Sequence, residues 1–277
     1  MLFASTSLAA RIERAECRLL SDAAASAARR HPGTGVFATP IGGGIATFTE
    51  AGSPLNKVAG LGFEGPLDER GLAALEQAYA ERGAPVQAEV SSLGDPAVVR
   101  MLTGRRYRLQ GFENVLGRSL PAAPRAPLPE GVAVAPSPIE ELGTWIEVVV
   151  TGFASPDAQG VASGEAYPRD LVESVMADMA SAEGFSRTLA RRDGVPAGGA
   201  SLRLSEGVAH LCGAATLPAH RRRGVQSALL AARLEIAAGA GCDVAVVITQ
   251  PGSKSQENVQ RQGFDLLYTR AILVREA

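Results

Sequence analysis

Cysteine, histidine and aromatic residues are scarce in this 277-residue chain, and each scarcity closes a route. Three cysteines, Cys17, Cys212 and Cys242, with no Cys-x-x-Cys spacing, make no disulfide framework and read as reduced thiols of a cytoplasmic protein. Three histidines without clustered ligand partners leave no dedicated metal site. Aromatics at 5% and a formal net charge of −2 argue against a nucleic-acid partner, which calls for stacking platforms and a basic field. No apolar run approaches a membrane span: even LLAARLEIAAGAG carries Arg233 and Glu235. The N-terminus lacks a basic segment followed by an unbroken apolar one, so no signal peptide is expected. No GxxxxGK[ST] sequence exists, which sets aside a P-loop nucleotide enzyme.

What is present is ordinary for a globular protein: 46% hydrophobic and 20% charged residues, over a length comfortable for two domains. Leu8, Ile12, Ala15, Leu19 and Ala23 recur at helical spacing, and the helix they define ends near residues 30–32. Short strands are expected at 36–39, 45–49 and 58–63, a helix over 68–82, a strand over 86–91, a short helix over 96–103 and a strand over 109–116. Prolines at 121, 124, 127 and 129 then exclude helix or central strand. Residues 119–131 therefore read as a linker between a first domain, 1–118, and a second, 132–277.

The second half repeats the order of the first. A strand over 132–135 leads to helices over 140–150 and 168–180. A hairpin follows, 185–191 and 197–204, turning at Asp193-Gly194. Then come a strand over 208–217, a helix over 225–238, a strand over 243–249, a short helix over 255–262 and a last strand over 264–274. LTGRRYRLQGFENVLGR in the first half is similar to VQRQGFDLLYTRAILVR in the second, which points to a tandem duplication. Residues 157–165, DAQGVASGE, read as a polar loop that either covers an acceptor site or only connects.

Residues 220–226, HRRRGVQ, fall where the expected strand 208–217 gives way to the helix 225–238. The first N–H groups of a helix lack internal partners, and the macrodipole places about half a positive charge there. Three arginines and a glycine at that junction make an anion site, with Gly224 leaving room for a ligand against the backbone. The bland alternative is an exposed basic turn.

The run Arg221, Arg222, Arg223, Gly224, Val225, Gln226 resembles the Q/R-x-x-G-x-G/A signature of the GCN5-related N-acetyltransferases, and ATLPAHRRRGVQSALL resembles the strand, loop and helix that carry it. Asn258 ahead of Gln262-Gly263-Phe264 resembles that family's asparagine-then-GF segment. The resemblance runs from about 132 to 274. It implies an α+β fold, two tandem acyl-CoA N-acyltransferase-like domains, each a mixed, mostly antiparallel sheet flanked by helices. It implies acetyl-CoA, or another acyl-CoA, as donor. Ala215, Thr216 and Leu217 would offer strand-edge groups to the pantetheine arm. Arg221, Arg222, Arg223, Gly224, Val225 and Gln226 would wrap the pyrophosphate, with Ser227 adding a hydroxyl. Asn258 and Ser255 would face the cofactor from the short helix. In the first half the matching loop, LDERGLAAL, has Asp68 where an arginine would stand, so that copy looks degenerate and without cofactor.

Two departures stand out. Gln226 replaces the small last residue of the signature. Val259 stands where many members place a tyrosine that protonates the leaving thiolate, which leaves Tyr268 as the nearest alternative acid. His210 has the intrinsic pKa for a general base, although a satisfied sheet histidine is the better explanation of it. Trp145 and Phe153 belong either to the substrate side or to the core, and Cys212 reads as a small core residue. The implied activity is direct acetyl transfer, in a ternary complex, to the amine of a small molecule or peptide, by a monomer or homodimer. The alternative is a non-catalytic acyl-CoA-binding regulatory or scaffold protein.

Overall fold

The structure, a computed structural model, describes residues 1–121, 127–155, 161 and 167–277. Residues 122–126 of the expected linker, and all of the loop 157–165 except Val161, lie outside the described residues. Contacts divide the chain into two compact units. One comprises Met1–Leu116, Ile248–Pro251 and Asp265–Ala277; the other comprises Gly117–Val247 and Gly252–Phe264.

The first unit opens with α1 (Thr6–Arg30), capped by Ser5, whose hydroxyl accepts from the Leu8 N–H. The stripe Ile12, Ala15, Leu19 and Ala23 is buried, as its spacing requires. Next come β1 (Phe37–Ile41), β2 (Gly44–Phe48), β3 (Lys57–Ala59), α2 (Glu69–Ala80), β4 (Val86–Ser91), α3 (Pro96–Gly104) and β5 (Arg108–Ser119). Strands β1, β2 and β3 are antiparallel, while β3 meets β4 in parallel at Val58 and Ala88. Leu72, Leu75 and Tyr79 of α2 pack on this sheet, and the Tyr79 hydroxyl donates to the Thr47 carbonyl at 2.5 Å.

The second unit contains β6 (Val132–Pro136), a 3-10 turn (Ile139–Glu141), α4 (Leu142–Phe153), α5 (Arg169–Ala180), β7 (Phe185–Arg192), β8 (Val195–Ser205), β9 (Val208–His210) and β10 (Ala214–Thr216). A second 3-10 turn (Pro218–His220), α6 (Val225–Gly239), β11 (Val244–Thr249) and α7 (Lys254–Arg261) complete it. The strand order is β11-β9-β8-β7-β6, with β10 beside β8. The expected hairpin turns at Asp193 and Gly194, both at positive φ, as a two-residue turn demands. Its pairs are antiparallel except β9 with β11. Val225, Ala228 and Leu229 of α6 pack on Ala190, Ala197 and Ala200. Trp145 is fully buried, its indole N–H donating to the Ala200 carbonyl at 3.3 Å.

The last strand, β12 (Asp265–Arg275), falls in the second half by chain order, but its contacts group it with the first unit. It runs antiparallel to β4 from Arg270 opposite Ser91 to Arg275 opposite Val86. The first unit's order is thus β1-β2-β3-β4-β12-β5. Arg270 is fully buried, and its Nε donates to Glu13 Oε1 at 2.8 Å. Lys57 Nζ donates to Glu89 Oε1 at 2.8 Å. A buried charge persists only with such partners.

Candidate functional site

The continuous strand expected over 208–217 is broken. β9 ends at His210, and its parallel ladder with β11 closes where the Leu211 N–H donates to the Val246 carbonyl at 2.8 Å. Cys212 and Gly213 then stand opposite the single residue Ser201, whose N–H reaches both of their carbonyls, at 3.3 and 3.1 Å. Two residues facing one is a β-bulge. Gly213 has φ of +25°, a value its missing Cβ permits. Beyond the bulge, β10 pairs with β8 alone among the described residues.

That leaves one edge of β10 without a strand. The Leu217 N–H donates to the Ala197 carbonyl at 3.0 Å. Antiparallel alternation therefore turns Ala215 and Leu217 toward β8, and Ala214 and Thr216 away from it. Of Ala215, Thr216 and Leu217, it is Thr216 that presents backbone groups at the open edge. Ala214, which sequence reasoning passed over, is its neighbour there. Locating the bulge decides this parity, and the run of small residues conceals the bulge.

The loop after β10 leads into α6 through two left-handed residues, Arg222 (φ 59°) and Gly224 (φ 77°). Among the described residues no side chain caps the helix. Its first N–H groups remain available, with the positive end of the helix dipole behind them. The three arginines do different things. Arg222 and Arg223 are exposed. Arg221 instead turns back to carbonyls: its Nε donates to Thr216 O at 3.3 Å, and its Nη2 donates to Ser155 O and lies 3.5 Å from Gly152 O. It holds the C-terminal end of α4 against the loop, and only its backbone is left for an anion.

Gly224 also differs from expectation. A Cβ there would lie 2.4 Å from Pro129 Cγ. The space read as room for a ligand is filled by the proline, so glycine is required by backbone conformation and by Pro129 together.

Helix α7 closes the arrangement. Ser253 caps it, accepting from the Gln256 N–H at 3.2 Å. Asn258 Nδ2 donates to Gln226 Oε1 at 2.8 Å. The structure thus brings Asn258 to the start of α6, and Gln226, the oversized signature residue, is the group that meets it. Ser227 and Ser255 are exposed on the first turns of α6 and α7. Val225 and Val259 are buried in the core, and Val259 offers no proton.

The candidate proton carriers are placed less favourably. Tyr268 lies on β12 in the first unit, 4% exposed, with its hydroxyl donating to Glu13 Oε1 at 2.8 Å. Burial, then the Glu13 charge, raises its pKa well above the ordinary phenol value. It is a structural donor, which corrects its candidacy as the acid. His210 is 5% exposed on β9, opposite Arg203 of β8, and its carbonyl accepts from the Cys212 thiol at 3.6 Å. Phe153 is half exposed, and Trp145 belongs to the core, edge-on to Phe185.

Sequence reasoning missed Arg233. It is buried on α6, with its Nη1 donating to the carbonyls of Ser201 (3.1 Å) and Cys212 (3.3 Å) and its Nε to Leu229 O (3.3 Å). An arginine inside the apolar run of α6 was the available signal, since a buried guanidinium needs acceptors. Among the described residues no cluster of His, Cys, Asp or Glu is arranged to hold a metal ion, and no helix is long and apolar enough to cross a membrane.

The first unit treats the equivalent junction differently. Asp68 caps α2, its carboxylate accepting from the Gly71 N–H at 2.7 Å. Asp95 caps α3 in the same way through the Ala97 N–H at 2.8 Å. A cavity of about 350 Å³ beside α3 is lined by Phe63, Leu67, Val98 and Met101 together with Asp95.

A bulged strand with an open edge, an uncapped glycine-entered helix and an asparagine docked on its first turn are now in place. Residues 155–264 match the model of the acetyltransferase (GNAT) family. Residues 155–264 are thus similar to the acetyltransferase (GNAT) family. No curated protein matches the sequence. Among solved structures, a GCN5-related N-acetyltransferase from Kribbella flavida is similar over 98% of this chain and 96% of its own, with a TM-score of 0.66 and 20% identity. A tandem GNAT protein from the clavulanic acid biosynthesis pathway is similar over 99% of this chain and 97% of its own, with a TM-score of 0.61 and 14% identity. A GCN5-related N-acetyltransferase from Sphaerobacter thermophilus covers 74% of this chain and 64% of its own, at a TM-score of 0.53 and 18% identity. At these identities the likeness is one of fold. The chain is a mixed α/β protein of GNAT type, its sheets mostly antiparallel and flanked by helices. GNAT proteins use acyl-CoA donors and act on amine acceptors.

Proposed function

We propose that this GNAT domain is an acetyl-CoA-dependent N-acetyltransferase that transfers the acetyl group directly to an amine of a small molecule or peptide. The observation that carries this reading is the uncapped start of α6 beside the open edge of β10, with Asn258 fixed to Gln226 at 2.8 Å. A diphosphate needs several convergent N–H donors at a positive helix end. A pantetheine amide chain needs strand-edge groups such as those of Ala214 and the N–H of Thr216, the Thr216 carbonyl being taken by Arg221. The residues present fit both requirements. The bound group would supply an activated thioester. The chain's own residues bind the pyrophosphate through the backbone of Arg222 to Ser227, and Asn258 faces the cofactor from α7.

The first unit is proposed as the copy that binds no acyl-CoA, because Asp68 already occupies the N–H group that a phosphate would use and adds a negative charge. Calorimetry with acetyl-CoA and with CoA tests the whole reading. One binding site per chain is expected, together with a rise in melting temperature. No interaction at millimolar cofactor would sink it, and two equivalent sites would sink the assignment of the first unit.

A second reading, a non-catalytic acyl-CoA-binding protein, is favoured by one observation. Tyr268 is tied to Glu13 and Val259 is buried, so the two positions considered for the acid provide none. Release of free thiol from acetyl-CoA with some member of a broad amine panel decides for the enzyme. Tight binding with no release across the panel decides for the binder.

A further inference from the structure

The carbonyl of Cys212 accepts from three donors: the Ser201 N–H at 3.3 Å, the Ser201 hydroxyl at 3.0 Å and Arg233 Nη1 at 3.3 Å. Arg233 has no carboxylate partner among the described residues, so its charge is balanced only by carbonyl dipoles. Burial holds its pKa down, to about 10, which still leaves it protonated near neutrality. The Cys212 carbonyl points toward β8, where Ser201 lies. The Cys212–Gly213 peptide is trans, so its N–H, that of Gly213, points the opposite way, toward the side where the β9–β11 ladder has ended. A cation on the carbonyl side of a peptide strengthens the donor on its N–H side.

We propose that Arg233 is a positioning residue for acyl transfer: it fixes the bulge and polarises the Cys212–Gly213 peptide, so that the Gly213 N–H becomes the donor to the thioester carbonyl oxygen. This rests on the acyl-CoA reading given above. As the amine nitrogen bonds to the carbonyl carbon, the carbonyl π pair moves to oxygen, and the Gly213 N–H meets that charge. When the C–S bond breaks, the oxygen's pair returns to the carbonyl, the thiolate leaves, and the proton shed by the amine nitrogen passes through water to the thiolate. A pre-polarised donor held by a buried side chain needs no reorganisation at that moment. A role confined to stability would hold the fold together and leave the carbonyl's polarisation unchanged.

Cys212-Gly213 is the one Cys-Gly dipeptide in the chain. Labelling cysteine at the carbonyl carbon and glycine at nitrogen therefore gives a single amide resonance from the intact protein. Acetyl-CoA is expected to move its proton downfield, and CoA, which lacks the acetyl carbonyl, to leave it nearly in place. In parallel, the infrared stretch of carbonyl-labelled acetyl-CoA should fall on binding. Arg233→Lys should keep part of that shift, and Arg233→Met should lose it while Trp145 fluorescence still reports a folded second unit. An equal response to CoA and acetyl-CoA, or an unchanged infrared shift in a folded Arg233→Met, overturns the inference. Should Arg233→Met not fold, Arg233→Gln, which keeps an amide donor for the Ser201 and Cys212 carbonyls without the charge, takes its place: a folded protein with an undiminished infrared shift also overturns the inference. Failure of the wild type to bind acetyl-CoA refutes the functional reading, whereas binding without either shift refutes only the role of Arg233.

Discussion

Replacing Gly224 by alanine tests the double demand placed on that position. The residue sits at φ 77°, where an L side chain costs about 1–2 kcal/mol. Its new Cβ would also lie 2.4 Å from Pro129 Cγ and 3.2 Å from Pro129 Cβ. Relieving such overpacking costs about 1–3 kcal/mol more. The single variant should therefore lose roughly 2–5 kcal/mol. Pro129→Ala removes the 2.4 Å Cγ contact and leaves the one at 3.2 Å from Cβ, so in that background the same glycine substitution should lose most of its overpacking cost and keep the backbone portion, about 1–2 kcal/mol. The coupling between the two sites is then roughly 1–3 kcal/mol, within the range of contacting residues. Trp145 is the single tryptophan and is fully buried in the second unit. Urea unfolding followed by its fluorescence reads that unit without assuming that both units unfold together. A Gly224→Ala loss below about 1 kcal/mol, or equal losses in both backgrounds, would refute the placement of Pro129 on the loop. The result also bears on function. Loss of cofactor binding after a substitution at 224 would not by itself identify a phosphate contact, because the loop is deformed first.

Three further outcomes are expected. Arg222→Ala combined with Arg223→Ala removes exposed guanidinium groups, so stability should change by less than about 0.5 kcal/mol, while acetyl-CoA affinity falls and becomes less salt-dependent in calorimetry. Tyr268→Phe should lower stability by about 1–3 kcal/mol through the lost hydrogen bond to the buried Glu13 carboxylate, which keeps Arg270, and leave the pH profile of thiol release unchanged; disappearance of an alkaline limb from that profile would restore Tyr268 as the acid. Burial, then Glu89, raises the Glu113 carboxyl from 4.5 to about 7, despite the opposing charges of Lys57 and Arg270. A folded-state pKa raised above the unfolded one stabilises fully below about 4.5 and loses that contribution as pH rises through about 7. Calorimetric melting of the first unit should therefore fall across that interval, and Glu113→Gln should flatten the dependence; a rise with pH would contradict the burial of this carboxyl.

Much of the fold is legible because local and tertiary demands agree. The stripe of α1, the strand over 86–91 and the Asp193-Gly194 hairpin follow from periodicity and turn chemistry that packing does not override. The strand, loop and helix around residues 220–226 were legible for the same reason, since an uncapped helix start needs only a strand before it and a glycine at its entry. The parts that escaped depend on residues far apart in the chain. The bulge at Cys212 and Gly213 is held by Ser201 and by Arg233, eleven and twenty-one residues from Cys212. No period within 208–217 reports them, so an unbroken strand was the natural reading. The placement of β12 is another such case. Its apolar pattern fits either half of the chain, while Arg270 and Tyr268 carry the information through Glu13, more than 250 residues earlier. A buried arginine on a strand has to find a carboxylate, but sequence does not say which.

The same contrast bears on chemistry. Backbone groups dominate what the loop and the bulge offer, and backbone donors leave little trace in residue identity. On the proposed reading, the signature around Gly224 therefore announces the cofactor, whereas the donor to the reacting carbonyl is announced only by a side chain that never touches the ligand. If Arg233 tunes the Gly213 amide as argued, the informative residue for catalysis lies behind the peptide, on α6, and motif reading along β9 and β10 could not have reached it. The acceptor side follows the opposite rule, because an amine is recognised by side chains, and those vary with the loops that carry them. A legible cofactor loop and an unread acceptor half are thus the expected outcome for a site of the proposed kind, whose first task is done by peptide groups and whose second is done by side chains.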